Sequence, residues 1–175
     1  MRIIAGEWRG RPIVAPTGAT TRPTSDRARE GLFSMLASRL GGFDGLNVAD
    51  LFAGSGALGL EALSRGAARC TFIEKDGGAI AAIRRNLASF DADGRADIRQ
   101  TGVEHAPPPA RLFDLVFLDP PYSADFIPAV ERAAGWTAPG GWLSIETSAA
   151  FGPPPSLTVV AERRFGKALI TLLQK

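Results

Sequence analysis

From residue 46 onwards, short apolar segments alternate with helical segments, and this alternation constrains the fold more than any other feature of the chain. The apolar runs lie at 46–51, 69–73, 96–100, 113–118 and 142–145, and the helical patterns at 58–65, 78–90 and 127–134. Two further runs, 157–161 and 168–173, flank Phe165-Gly166-Lys167 and indicate a hairpin. Alternation of strands and helices is typical of a parallel sheet covered on both faces. The sequence therefore predicts an α/β fold with a mostly parallel, seven-stranded sheet and a C-terminal antiparallel hairpin.

The first 45 residues predict a short extension and a helix that leads into the sheet. Residues 2–5 and 12–15 flank a Gly-rich, Arg-bearing stretch and indicate a short β-hairpin, and 16–25 indicates a loop. The apolar spacing of 26–40, followed by Gly41-Gly42, predicts a helix. We therefore divide the chain into an extension, residues 1–25, and a main domain, residues 26–175.

Composition limits the classes of protein to which the chain can belong. With 175 residues and 45% hydrophobic content, one core is expected, and no apolar run of about 18 residues predicts a membrane span. The N-terminus lacks the apolar segment of a signal peptide. One cysteine, Cys70, and one histidine, His105, argue against a disulfide or a Cys/His zinc site. We expect a cytoplasmic protein without a metal.

Two proline-rich stretches modify the expected alternation. Ala106-Pro107-Pro108-Pro109 is incompatible with a helix, so the crossover between the third and fourth strands should lack one. Pro139-Gly140-Gly141 predicts a turn before the fifth strand.

The tetrapeptide Asp119-Pro120-Pro121-Tyr122 follows the fourth strand and predicts a rigid corner. Proline fixes its own φ, lacks an N–H and restricts the residue before it to extended geometry. Such a corner presents a carboxylate, a free carbonyl and an aromatic face, which together suit a planar amine such as the amino group of a nucleobase. A plain proline turn after a buried strand is the structural alternative.

A glycine-rich loop follows the first strand, and an acidic residue ends the second. Gly54-Ser55-Gly56-Ala57-Leu58-Gly59 matches the G-x-G-x-x-G pattern of dinucleotide-binding folds, which makes an NAD-dependent oxidoreductase a genuine alternative. Glu74 lies 20 positions after Gly54, where a carboxylate can accept both hydroxyl hydrogens of a ribose. Asp50 precedes the loop and would repel a pyrophosphate but attract the α-ammonium of a methionine group. The order of these residues favours S-adenosylmethionine.

Positive charge is concentrated at the start of the chain. Residues 1–29 contain six arginines against Glu7 and Asp26, a balance of +4, whereas the net charge of the whole chain is +2. Arginine matches the geometry of phosphate oxygens, so a nucleic-acid contact is expected here, and a solvated surface segment is the alternative.

These motifs together resemble the family of bacterial 16S ribosomal RNA guanine-N2 methyltransferases, small enzymes with a DPPY or DPPF corner. The matching segments are 1–11, 22–30, 32–33, 50–67 and 119–122. The first two distinguish this family, because other methyltransferases share the rest. The resemblance implies a Rossmann-like class I methyltransferase fold and an S-adenosylmethionine-dependent enzyme that modifies the N2 amine of a guanine.

The resemblance also implies roles for individual residues. Asp119, Pro120 and Tyr122 would handle the target base, with Tyr122 stacking on it. The cofactor would be held by a set from the first two strand ends, Asp50, Phe52, Gly54, Gly56, Glu74 and Lys75. RNA would be contacted by the arginines of the extension, Arg2, Arg9, Arg11 and Arg22. The partner would be ribosomal RNA in a small subunit or its assembly intermediate, and the protein would be a monomer.

One position departs from the family pattern. The family usually places an Asp or Asn after the third strand, facing the adenine amino group, but Gly102 stands there in this chain. Either Glu104 or a backbone carbonyl takes over, or the adenine is held less tightly. We expect His105 to be a surface residue. Two alternatives stay open: an amino methyltransferase acting on DNA or another RNA, and a nucleic-acid-binding module without catalysis.

Overall fold

The computed structural model describes residues 1–16, 26–122 and 125–175, and the loop expected at 16–25, with Arg22, falls outside these residues except for Pro16. The helices are α1 (Asp26–Leu40), α2 (Ala57–Ser64), α3 (Gly77–Ser89) and α4 (Ile127–Trp136), with one 3₁₀ turn, Asp93–Arg95. The strands are β1 (Asn47–Leu51), β2 (Arg69–Glu74), β3 (Ala96–Gln100), β4 (Phe113–Leu118), β5 (Thr137–Thr147), β6 (Thr158–Phe165) and β7 (Ala168–Gln174).

The seven strands form one sheet in the order β3-β2-β1-β4-β5-β7-β6. The strands from β3 to β5 are parallel, and β7 is antiparallel to both β5 and β6. The mostly parallel α/β sheet with a C-terminal antiparallel hairpin is therefore confirmed. The strand order reverses between β1 and β4, and in sheets of this kind ligands bind at the carboxyl ends of the strands near such a reversal.

Two apolar clusters cover the two faces of the sheet. One contains Phe33 of α1, Leu60 of α2 and Phe117 of β4, and the other contains Val116 of β4 and Val130 of α4. Adjacent residues of β4 thus point into opposite clusters, which explains why this strand is a continuous apolar run. Both clusters hold the carboxyl ends of β1 and β4 in fixed positions.

The predicted N-terminal hairpin is present as a paired segment rather than as two strands. Its pairing consists of one antiparallel bridge, between Arg2 and Pro12, and backbone hydrogen bonds that include Ile3 N to Arg11 O, 3.0 Å. Ile3, Trp8 and Ile13 are buried in the first cluster. We call residues 1–13 the N-terminal segment. Its stability comes from docking on the main domain, because a ladder of one bridge is too short to be stable alone.

The docking of this segment explains several residues of α2. The buried carboxylate of Glu61 accepts hydrogen bonds from the backbone N–H groups of Ile4 (2.8 Å) and Ala5 (3.0 Å). Ser64 Oγ accepts from Trp8 N and donates to Ala5 O. A Cβ on Gly6 would lie 1.9 Å from the carbonyl oxygen of Ser64, so only glycine permits this approach.

The Pro-rich predictions have mixed outcomes. The structure has no helix within residues 101–112, between β3 and β4, as expected. Pro139-Gly140-Gly141 does not precede β5 but lies inside it, so the predicted start of this strand is wrong. Thr137 pairs with Phe113 and Trp142 with Leu115, and the residues between them bulge from the ladder. Within the described ranges, no helix has the length and apolarity to span a membrane.

Candidate functional site

The loop between β1 and α2 has a backbone that leaves its outer surface open. Phe52 has φ 63°, an uncommon value for a residue with a side chain, and such strain is often found at ligand sites. Gly54 has φ 54°, and a Cβ placed on it would meet no atom within 4 Å. Gly56 begins α2 and also has a positive φ, 78°. A ligand can therefore contact the bare backbone at Gly54.

Glu74 ties this loop to the end of β2. Its Oε2 accepts from Gly54 N at 2.9 Å, and its Oε1 accepts from the backbone N–H groups of Lys75 (2.7 Å) and Asp76 (2.9 Å). Each carboxylate oxygen has two acceptor positions. The three bonds fix the orientation of the carboxylate and leave acceptor capacity for a hydroxyl group. Lys75 is exposed beside it.

Asp50 lies beneath the loop, not in its opening. Its side chain is buried, and its Oδ2 accepts from Gly59 N at 2.9 Å. Burial raises the pKa of the Asp50 carboxyl well above its usual range, the negative charges of Asp119 and Glu74 raise it further, and the hydrogen bond from Gly59 opposes the rise. Asp119 and Glu74 therefore lie close enough to Asp50 for their negative charges to act on its carboxyl group.

The segment after β3 contains the departure noted in the sequence. A Cβ on Gly102 would lie 2.4 Å from Oε1 and 2.6 Å from Oε2 of Glu104. The carboxylate of Glu104 therefore folds back into the space that a side chain at position 102 would fill. His105 is exposed and lies 3.9 Å from Glu104 Oε1. Of the two substitutes considered for the missing acid, this geometry favours Glu104.

The corner after β4 stands beside the glycine loop. The last paired residues of β1 and β4 are Leu51 and Leu118, and the backbone N–H of Asp119 points to Leu51 O at 3.5 Å. Pro120 is buried, whereas Tyr122 is 52% exposed. The structure thus brings the proposed amine-binding corner and the proposed cofactor loop to adjacent strand ends.

The arginines of the N-terminal segment are not equivalent. Arg2 Nη1 donates to Gly10 O at 2.7 Å, within the segment itself. Arg11 donates to Ser89 O, and its guanidinium lies 4.6 Å from the centre of the Phe90 ring. Arg9 is exposed and has no side-chain partner among the described residues. Of these three arginines, Arg9 is therefore the one whose guanidinium has no partner in the described part of the chain.

Sequence reasoning missed two functional candidates. Asn86 of α3 accepts from Val14 N and donates to the carbonyls of Val14 and Ser55, so it joins the N-terminal part of the chain to the glycine loop. Glu146 of β5 accepts a 2.8 Å hydrogen bond from the Tyr122 hydroxyl. Neither residue belongs to a motif, and only the strand order could have indicated that Glu146 ends beside the corner. Among the described residues no acid, His or Cys cluster suits a metal ion.

Comparison with known sequences identifies related proteins. The model of a family described as Conserved hypothetical protein 95 matches residues 1–174. YlbH of Bacillus subtilis, named as a candidate rRNA methyltransferase, is 40% identical over 134 residues, which cover 74% of this chain and 71% of the relative. Ribosomal RNA small subunit methyltransferase D of Escherichia coli is 38% identical over 146 residues, which cover 83% and 71%. The protein of the same name from Haemophilus influenzae is 34% identical over 175 residues, covering 98% and 82%.

Solved structures have the same fold over the whole chain. A candidate methyltransferase of Escherichia coli, yhhF, is 33% identical with a TM-score of 0.84, and the match covers 100% of this chain and 97% of the other. A hypothetical protein of Thermus thermophilus is 28% identical with a TM-score of 0.79, covering 98% of each chain. The class I methyltransferase fold expected from the resemblance is thereby confirmed.

Proposed function

The chain belongs to the family described as Conserved hypothetical protein 95, and we propose that it methylates small-subunit (16S) ribosomal RNA with S-adenosylmethionine as the methyl donor. The methyl group goes to the exocyclic N2 amine of a guanine. The observation that carries the proposal is the placement of the Gly54 loop and the Asp119 corner on adjacent strand ends. A donor and an acceptor must be held next to each other for direct transfer, and this arrangement provides both sites.

The residues around the glycine loop fit S-adenosylmethionine. The open backbone at Gly54 permits close approach of the ligand, and Glu74 offers its remaining acceptor position to a ribose hydroxyl. The carboxylates of Glu74 and Asp119 make this edge negative, which favours a cation and disfavours the pyrophosphate of NAD. Glu104, at the next strand end, supplies an acceptor for the adenine amino group. S-adenosylmethionine, when bound, supplies a methyl group that its sulfonium has already activated.

The corner residues act on the target amine. The lone pair of guanine N2 is delocalised into the ring, so the amine is a weak nucleophile. The Asp119 carboxylate and the Pro120 carbonyl accept its two hydrogens and so direct the lone pair towards the methyl group. Formation of the N–C bond would break the S–C bond of the donor, which would leave as the thioether S-adenosylhomocysteine. Asp119 would accept the proton that the amine then loses and pass it to water. The exposed ring of Tyr122 stacks on the base, a contact worth about 1–3 kcal/mol in single-stranded recognition.

The geometry of the corner requires an unpaired base. A base inside a duplex hides its amino group from a pocket at the edge of a sheet, so the guanine is unstacked or comes from a loop. The N-terminal segment, whose Arg9 is exposed and unpaired among the described residues, provides a phosphate contact outside the cofactor loop. This division separates RNA binding from methyl transfer.

Incubation with labelled S-adenosylmethionine tests the proposal directly. The substrates are 16S RNA, small ribosomal subunits and double-stranded DNA, and the labelled nucleoside is identified after digestion. We expect label in RNA as N2-methylguanosine. Label in DNA, or on another base, would instead support an amino methyltransferase of different specificity. Tight NAD binding without any response to S-adenosylhomocysteine would overturn the assignment.

A further inference from the structure

Glu146 lies beside the corner, although it belongs to a different strand and to no motif. The last registered pair of β4 and β5 is Leu118 with Ile145, so Asp119 and Glu146 are the next residues on these two parallel strands. Neighbouring strands lie about 4.8 Å apart. The backbones at Asp119 and Glu146 therefore lie side by side at the strand ends where the target base is handled.

One oxygen of the Glu146 carboxylate is hydrogen-bonded, and the other keeps its acceptor positions. Its Oε1 accepts from the Tyr122 hydroxyl at 2.8 Å, while its Oε2 has no hydrogen-bond partner among the described residues. The side chain is partly exposed and lines a small cleft together with Leu32, Leu58 and Leu118. One oriented acceptor thus remains open at these strand ends, beside apolar side chains that include Leu32 and Leu118.

The chemistry of guanine matches this second acceptor. Next to its N2 amine, guanine carries the N1–H donor, whereas adenine has a bare N1 acceptor at the same place. An ionised carboxylate only accepts hydrogen bonds, so it distinguishes the two rings. We propose that Glu146 Oε2 accepts the N1–H of the target guanine while Asp119 and Pro120 hold the N2 hydrogens. This inference rests on the proposed function and adds the reason for the choice of base.

The hydrogen bond from the Tyr122 hydroxyl fixes the orientation of the Glu146 carboxylate relative to the Tyr122 ring. Tyr122 stacks on the base through its ring and orients Glu146 through its hydroxyl, so the two contacts with guanine are linked. Glu146 is a specificity-determining residue, whereas Asp119 acts on the reacting amine. Loss of Glu146 should therefore change which base is accepted, beyond any change in rate.

The test uses two RNA substrates that carry either guanine or 2-aminopurine at the target position. The analogue keeps the N2 amine but has an unprotonated N1, so it lacks the donor. We expect wild type to prefer guanine in kcat/KM by about 100-fold or more, because sites that hydrogen-bond an N–H reject analogues lacking it. In Glu146→Gln the amide can donate to the bare N1, and the preference should fall to about tenfold or less.

Two further variants distinguish recognition of the base by Glu146 from the effect of the Tyr122 hydroxyl on the orientation of Glu146. Tyr122→Phe removes the hydroxyl that orients Glu146 but keeps the ring and the carboxylate, so the preference for guanine should fall less than in Glu146→Gln. Glu131→Gln, an exposed position on α4, should match wild type. A Glu146→Gln variant that keeps the wild-type preference would overturn the inference while leaving the proposed function intact. A wild-type protein that methylates no guanine would overturn both.

Discussion

The carboxyl edge of the sheet and the N-terminal segment are both rich in charge, but they use it in opposite ways. At the carboxyl edge, Glu74 and Glu146 are oriented by the protein and keep acceptor positions for a ligand. In the N-terminal segment, Arg2 and Arg11 donate to carbonyl oxygens of the protein itself. A count of charges therefore does not give the number of binding groups, because the hydrogen-bond partners within the protein decide which charges are available to a ligand.

The first prediction concerns the edge and has the largest expected effect. Asp119→Ala should lower turnover by about 10³-fold or more, because it removes both an acceptor for the amine and the proton acceptor. Cofactor affinity, measured by calorimetry, should stay within a few-fold of wild type. Glu131→Ala on α4 is the matched control. Turnover close to wild type in Asp119→Ala would mean that the edge does not handle the amine.

The second prediction concerns the buried carboxyl group of Asp50 and the pH dependence of the free energy of unfolding. The pKa of Asp50 is raised in the folded protein, so its contribution to stability is complete below pH about 4, near the unfolded pKa, and is lost as the pH rises through the folded pKa. The loss can reach about 1.4 kcal/mol per pH unit. Asp50→Asn should flatten this decline in urea denaturation of the cofactor-free protein.

The control for this measurement is Asp93→Asn, at an exposed position of the 3₁₀ turn. It should leave the pH dependence of the free energy of unfolding unchanged. Parallel curves for wild type and Asp50→Asn between about pH 4 and pH 8 would show that Asp50 does not titrate as its burial requires.

The third prediction asks whether Glu104 replaces the acid missing at position 102. Glu104→Ala should weaken cofactor binding by about tenfold, as expected for loss of a hydrogen bond to a charged group. Adding Gly102→Asp to that variant should restore affinity, because the new carboxylate enters the vacated space. Gly102→Asp alone should bring no gain, since its Cβ would displace Glu104. Unchanged affinity in Glu104→Ala would assign adenine recognition to the backbone.

The fourth prediction is the smallest and separates two arginines of the N-terminal segment. Arg9→Ala should reduce the salt dependence of RNA binding by about 0.7–0.9 in the log–log slope, the value for one phosphate contact. Its melting temperature should equal that of wild type. Arg11→Ala should lower the melting temperature as well, because it removes contacts with Ser89 and Phe90. If Arg9→Ala binds RNA with the wild-type slope, the segment is only a structural cap.

Much of the fold could be predicted because the strands are buried on both faces and therefore form apolar runs in the sequence. The exceptions have local reasons. Thr137 joins β5 because Pro139-Gly140-Gly141 bulges out of the ladder, a tertiary feature that turn residues cannot reveal. The N-terminal segment keeps hairpin bonds such as Ile3 N to Arg11 O, but it also donates hydrogen bonds to Glu61 and Ser64 of α2. Long-range docking leaves no periodic signal in the sequence.

The candidate site was predictable only where it lies in contiguous motifs. The conformations of the glycine loop and of the corner are determined by their own glycine and proline residues, so Gly54 and Asp119 could be identified from the sequence. Glu146 could not, because its position beside Asp119 depends on the register of β4 and β5. The sequence also could not show which arginines are free to bind a ligand, since Gly10 and Ser89 become partners of Arg2 and Arg11 only in the folded chain.

The stacking of Trp8 on Phe90, with ring centres 4.8 Å apart, has a consequence for synthesis of the protein. The two residues are separated by 82 positions (90 minus 8), and chains grow at about 5–20 residues per second during synthesis, so Trp8 waits about 4–16 s for its partner. During that time Ile3, Trp8 and Ile13 have no core to enter. The first residues to be synthesised are therefore among the last to reach their native contacts.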